Sequence, residues 1–331
     1  MAWPDPGWRR ARENSSNKKD KDRPMTTHEG FAPFRSWKTW YRVTGELNSG
    51  KTPLIVAHGG PGCTHDYVDS FKALAQDGRA VIHYDQLGNG KSTHLPEKGA
   101  DFWTVDLFLE ELDNLIAHLK LDAGYDLLGQ SWGGMLGAEF AIRQPVGLRA
   151  LVIADSPASM EIWADEANRL LADLPQDVQQ ILRAHEEAGT TDSEAYKEAA
   201  KVFSARHICR LQPLPDDVQR TNDAVDSDPT VYHTMIGPSE FHIRGTLKTW
   251  SVIDRLTAID VPTLLISGAY DEATPATMQP FQDLVPDVRW HVFPNSSHMP
   301  HLEEFEDCMR VVGDFLAQCE ASSPHPEVAR A

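Results

Sequence analysis

Tyr125-Asp126-Leu127-Leu128-Gly129-Gln130-Ser131-Trp132-Gly133-Gly134 is the stretch on which the fold turns. Its first four residues form a short apolar run of strand length. Its last residues open into Met135, Leu136 and Ala138, apolar positions of a helix. Between them lies Gly-x-Ser-x-Gly, in which a serine at a sharp strand-to-helix turn needs glycine two residues to either side, because those backbones approach too closely for a Cβ. Ser131 is thereby a candidate nucleophile projecting from the end of a strand. A turn serine with no chemical role is the bland alternative.

Working outward, further short apolar runs bounded by turn residues recur at Leu54 to Ala57, Ala80 to Tyr84, Ala150 to Ala154, Thr263 to Ser267 and Arg289 to Phe293. Val105, Phe108, Leu109, Leu112, Leu115, Ile116 and Leu119 repeat at the spacing of one helical face. Alternation of strand and helix implies an α/β fold with a mostly parallel, doubly wound sheet covered on both faces. The alternation breaks over residues 158–245, where helix formers dominate in 161–188 and 193–210. This segment carries sixteen acidic against eight basic side chains. It is expected to be a helical cap inserted into a core made of residues 25–157 and 246–320. Residues 1–24, with seven basic and four acidic side chains and no apolar periodicity, are expected to form a disordered arm, and residues 321–331 a flexible tail.

Composition limits the rest. The 331 residues are 41% hydrophobic and 24% charged, ordinary for a packed globular protein. A net charge of -18 repels nucleic-acid phosphates and anionic lipid. No apolar run approaches the ~18 residues that span a bilayer, and no apolar leader follows the basic N-terminus, so cytoplasmic residence without membrane or nucleic-acid partners is the expectation. Cys63, Cys209, Cys308 and Cys319 show no metal or disulfide spacing and are read as free thiols. Oligomeric state leaves no trace in the sequence.

A serine hydroxyl needs a base, itself oriented by an acid. In Gly-x-Ser-x-Gly folds of this kind the acid and then the histidine follow the serine along the chain. Asp271 follows the strand at 263–267, and His298 follows the strand at 289–293; both lie just past strand C-termini, where open α/β sheets bind ligands. Asp155, also at a strand end, is an alternative acid, and His301 an alternative base or flanking group. His291 falls within a strand. His58-Gly59-Gly60-Pro61-Gly62 follows the strand at 54–57 and places the Gly60 N–H as one oxyanion donor, the Trp132 N–H as the other. Gly59 and Cys63 are candidate pocket-lining residues. The loop lacks the spacing of phosphate-binding glycine motifs, and neither metal nor organic cofactor is called for.

Six motifs in order carry a resemblance: HGGPG at 58–62, DQLGNGKS at 85–92, GQSWGG at 129–134, GPSEF at 237–241, YDEATP at 270–275, and Ser297-His298. Together, over residues 30–318, they resemble the proline iminopeptidase family of α/β-hydrolases, and within it the branch of tricorn-interacting aminopeptidases and L-amino-acid amidases. The resemblance implies a serine hydrolase that removes an N-terminal residue from a short peptide or cleaves an amino-acid amide. It implies Ser131, Asp271 and His298 as triad, and Glu240 and Glu272 as the carboxylates that hold the substrate α-ammonium. Proline-specific members carry DQRGxGRS, where this chain has Leu87 and Lys91 at the two arginine positions and Asn89 at the x. A carboxylesterase, a small-molecule amide or lactone hydrolase, or a binding protein that reuses such a pocket are the alternatives.

Overall fold

The computed structural model describes residues 25–322. Eight strands form one sheet: β1 (Thr27–Phe34), β2 (Trp37–Thr44), β3 (Leu54–Ala57), β4 (Val81–Asp85), β5 (Tyr125–Gln130), β6 (Leu148–Ala154), β7 (Thr263–Gly268) and β8 (Val288–Phe293). Their order is β1-β2-β4-β3-β5-β6-β7-β8, and β2 alone runs against its neighbours. β3, β4, β5 and β7 are buried at every residue, because helices cover both faces and no position can face water.

α1 (Val105–Leu119) begins where the Thr104 side chain accepts from Leu107 N and buries the apolar stripe read from the sequence. α2 (Trp132–Ile142) is apolar on all sides and accordingly lies inside the molecule, ten of its eleven residues buried. Its one acid, Glu139, receives Arg255 through both nitrogens and the Trp250 indole.

Successive strands add on one side of β3 at β4 and on the other at β5, so the order reverses at β3. A crevice opens there beyond the strand ends, the place where such sheets bind ligands. The turns after β3 and β5 are His58-Gly59-Gly60 and Ser131.

Between β6 and β7 the chain forms α3 (Met160–Ala172), α4 (Gln176–Ala188), α5 (Glu194–His207), α6 (Asp216–Ser227) and α7 (Thr230–Met235). The expected helical run 161–188 is two helices, because Pro175 starts the second. After β7 come α8 (Pro275–Leu284), the single turn α9 (Pro300–Glu303) and α10 (Phe305–Ser322). Residues 321 and 322, expected in a tail, form the exposed last positions of α10, whose buried residues end at Leu316. The expected N-terminal arm, and residues 323–331 of the tail, lie outside the described residues. Among the described residues no helix is long and apolar enough to cross a membrane.

Candidate active site

Ser131 sits between β5 and α2 with φ 55° and ψ −122°, a strained conformation for a residue with a Cβ. The flanking glycines have a measurable reason. A Cβ on Gly129 would lie 1.9 Å from the Gly133 carbonyl oxygen, and one on Gly133 would lie 2.1 Å from that of Ala57. The turn is anchored by Ser131 N donating to Ala154 O at 2.8 Å, which prolongs the β5–β6 ladder by one bond.

His298 Nδ1 donates to Asp271 Oδ1 at 2.6 Å, and Ala273 N donates to the same oxygen at 2.8 Å. With Nδ1 so occupied, Nε2 is left for the cavity, where Glu272 Oε1 lies 3.8 Å away. Ser131 and His298 line the same cavity. Ser131 Oγ and the imidazole are not hydrogen-bonded to each other, and such contacts commonly tighten only in a substrate complex.

The Gly60 and Trp132 amides share a small pocket with Ser131, and neither donates to another group among the described residues. Gly59, by contrast, has its N–H committed to the Tyr67 hydroxyl at 2.6 Å. Tyr67 in turn donates to Gln130 Oε1, and Gln130 Nε2 donates to the His298 carbonyl at 2.9 Å. One buried chain of hydrogen bonds therefore ties the glycine loop, the serine turn and the histidine loop together. Gln86 adds a brace, donating to His58 O and accepting from the Trp132 indole at 2.8 Å. Gln130 stood in view beside Ser131; nothing in the sequence marks Tyr67, which arrives from a separate 3-10 helix at 66–77.

Glu240 and Glu272 line the cavity with His298. Glu240 Oε1 accepts from the Tyr232 hydroxyl at 2.7 Å, while Glu272 Oε2 has no hydrogen-bond partner. Neither meets a lysine or arginine among the described residues. Burial raises both carboxyls above the usual range, and Glu272 is raised further by the charges of Glu240 and Asp271. Two carboxyl groups that no lysine or arginine neutralises form a site that gains most by accepting a cation. Trp163 closes the wall: its indole donates to the Glu240 carbonyl at 2.7 Å, and its ring lies 6.1 Å from that of His298. Tyr232 and Trp163 are cap residues that no motif announces. Cys63 lines the cavity as a thiol, since burial and the two glutamates push its ionisation upward, away from thiolate chemistry.

The alternatives separate. His301 is fully buried, its Nε2 donating to Tyr67 O at 3.0 Å and its ring stacked on Phe71; burial lowers it to about 3. It supports the wall and does not face the cavity. His291 packs against Phe293 on β8. Asp155 interacts with the Asp271 carboxyl, and the hydrogen bond to His298 Nδ1 is made by Asp271. Leu87, Asn89 and Lys91 do not line the cavity: the Leu87 amide donates to Glu111, Lys91 N to Asp85 Oδ2, and the motif is a brace for the Gln86 turn.

The cavity measures about 530 Å³ and runs from Ser131 under α5, α6 and α7, past Tyr196, Ile208, Val218 and Val225. Beside it, a recess of about 10 Å³ is walled by Trp132, Met135, Met160, Trp163 and Ile236.

A strained serine at the switch point of this sheet, with a carboxylate-bound histidine across the cleft, defines the class, and a profile of the alpha/beta hydrolase fold matches residues 52–305. The chain is an α/β-hydrolase. It is 37% identical over 293 residues to the proline iminopeptidase of Clostridium botulinum, covering 88% of this chain and 99% of that one. Among solved structures, VinJ superposes with a TM-score of 0.87 at 56% identity, covering 88% of this chain and 99% of its own. The Mycobacterium smegmatis proline iminopeptidase superposes with 0.84 at 50% identity, covering 90% and 100%. The chain belongs to the proline iminopeptidase family.

Proposed function

We propose that this protein is a serine aminopeptidase that removes the first residue from short peptides or from an amino-acid amide. The observation that carries the reading is the pair of unneutralised carboxyl groups of Glu240, half-buried, and Glu272, buried, on the same cavity wall as Ser131 and His298. An ester or lactone hydrolase has no use for that pair, whereas a substrate with a free α-ammonium offers three donors that two carboxylates can receive. The names of the relatives, proline iminopeptidases, agree with it.

With the ammonium held there, the carbonyl of the first residue lies over Ser131. Ser131 Oγ attacks it as His298 Nε2 takes the hydroxyl proton. Asp271 holds the imidazole in the tautomer that leaves Nε2 free to do so. The Gly60 and Trp132 amides receive the developing oxyanion, a contribution of about 3 kcal/mol per donor. His298 then returns the proton to the leaving amine, and water, activated by the same imidazole, releases the acid from the acyl-enzyme. The side chain of the first residue lies toward the apolar wall of Trp132, Met135, Met160, Trp163 and Ile236, where the recess of about 10 Å³ is no larger than one water-sized group. The leaving portion extends into the larger cavity beneath the cap.

A panel of p-nitroanilides of alanine, proline and phenylalanine, each with its amine free or acetylated, tests the reading. Turnover of the free-amine compounds with little of the acetylated ones is expected. Equal turnover of free and acetylated substrates would point to an esterase-like hydrolase, and no turnover of any, with Ser131 unreactive, to a binding protein.

A further inference from the structure

Asp155 ends β6 with φ 52°, is fully buried, and takes no part in the mechanism above. Its carboxyl lies within hydrogen-bonding reach of the Asp271 carboxyl. Asp271 Oδ1 already receives both His298 Nδ1 and Ala273 N. Oδ2 of Asp271, and both oxygens of Asp155, are buried and have no donor among the described residues; the Gly268 amide faces Asp155 without closing a well-formed bond. Two acceptor-only groups turned toward each other out of water cannot both be ionised, so one of them carries a proton.

We propose that Asp155 holds that proton and donates it to Asp271 Oδ2, which makes Asp155 the positioning residue of the triad carboxylate. Asp271 is the better anion of the two, since two N–H donors converge on it. Asp155 has around it burial, the Asp271 carboxylate, Glu303 from α9, Cys308 from α10 and the Tyr67 ring, with no cation among them. Burial first, and the Asp271 charge second, raise its carboxyl well above the usual range. The left-handed backbone suits aspartate and asparagine better than most residues. In this arrangement Asp155 pins the Asp271 plane and draws off part of its charge.

The inference rests on the proposed triad, and its test separates the two. Asparagine at 155 keeps an N–H for Oδ2 and alanine removes it. D155N is expected to keep kcat within about threefold, and D155A to lose about tenfold or more, the loss of one charge-assisted hydrogen bond. In D155A the acid limb of kcat/KM should move upward by about half a pH unit, because the full Asp271 charge then favours imidazolium; a merely structural role lowers kcat without moving the limb. Isotope-edited infrared spectra of the wild type at neutral pH should show the carbonyl stretch of one protonated, buried carboxylic acid that D155N lacks. Absence of that band, or D155N falling as far as D155A, overturns the proposal. If D155A does not fold, D155N kinetics and the band decide. The band reports the shared proton even if Ser131 is not the nucleophile, whereas an active S131A removes the triad and leaves the proton pair standing.

Discussion

Around Ser131 the backbone leaves no latitude: the Gly129 and Gly133 carbonyl contacts stand at 1.9 and 2.1 Å from any added Cβ, and the serine itself is held at φ 55°. Above it, α6 buries only Val218 and Thr221, and α4 only Val178 and Leu182. Core and cap thus meet at one cavity with different constraints. On the proposed reading the core sets where a carbonyl is attacked, and can hardly vary without losing the turn. On the same reading the cap, with Tyr232, Trp163 and Glu240, sets what is brought to that point, and its helices are thinly buried.

The largest effect should come from the core side of this contrast. S131A is expected to lower kcat/KM for a free aminoacyl p-nitroanilide by about 10⁴-fold or more while leaving the melting temperature close to that of the wild type. Loss of only a few fold would mean that another group does the chemistry. On the cap side, E240Q should cost about 10- to 100-fold in kcat/KM on free-amine substrates, the worth of a charge-assisted bond, and little on an acetylated or simple ester substrate. Equal losses on both would assign Glu240 to the wall instead of the amine.

That contrast also governs what the sequence disclosed. The core was legible because its constraints are local: β3 and α1 fall on the expected runs, and glycine spacing located the Ser131 turn from two residues on either side. β1 and β2 were not read, since their hairpin turns at Arg35 with φ 53° and without the glycine or asparagine that usually signals such a turn, and β1 is largely exposed. α6 was missed because its sequence is almost wholly polar and its few buried contacts are made with the 66–77 segment. Asp271, His298, Glu240 and Glu272 were visible as motif residues. Tyr232, Trp163 and Tyr67 were not, because each works through side-chain hydrogen bonds to residues 8 to 77 positions away along the chain, which leave no periodicity.

Two smaller effects sharpen the comparison. Both glutamates carry raised carboxyl pKa values, so the amine site empties of charge as pH falls through them. The acid limb of kcat/KM should therefore lie at higher pH for free-amine substrates than for an acetylated ester, and coincident limbs would remove the carboxylates from binding. The same shift has a cost in stability. A carboxyl raised in the folded state contributes most at low pH, and that contribution is lost as pH rises from the unfolded value near 4.3 through the folded one. E272Q should accordingly be at least as stable as the wild type above neutrality, by thermal melting, and should flatten the decline. The smallest effect is expected from Y232F, which removes one hydroxyl donor from Glu240 and should raise KM for free-amine substrates about three- to tenfold with kcat little changed. A fall in kcat alone would place Tyr232 on the core side of the division.

The central claim, that Ser131 is the nucleophile activated by His298, is tested most directly by intact-mass spectrometry after treatment with a fluorophosphonate. One adduct per chain, mapped by digestion to the peptide bearing Ser131, absent from S131A and strongly slowed in H298A, is the expected result. An unlabelled wild type, or an adduct that persists in S131A, would contradict it.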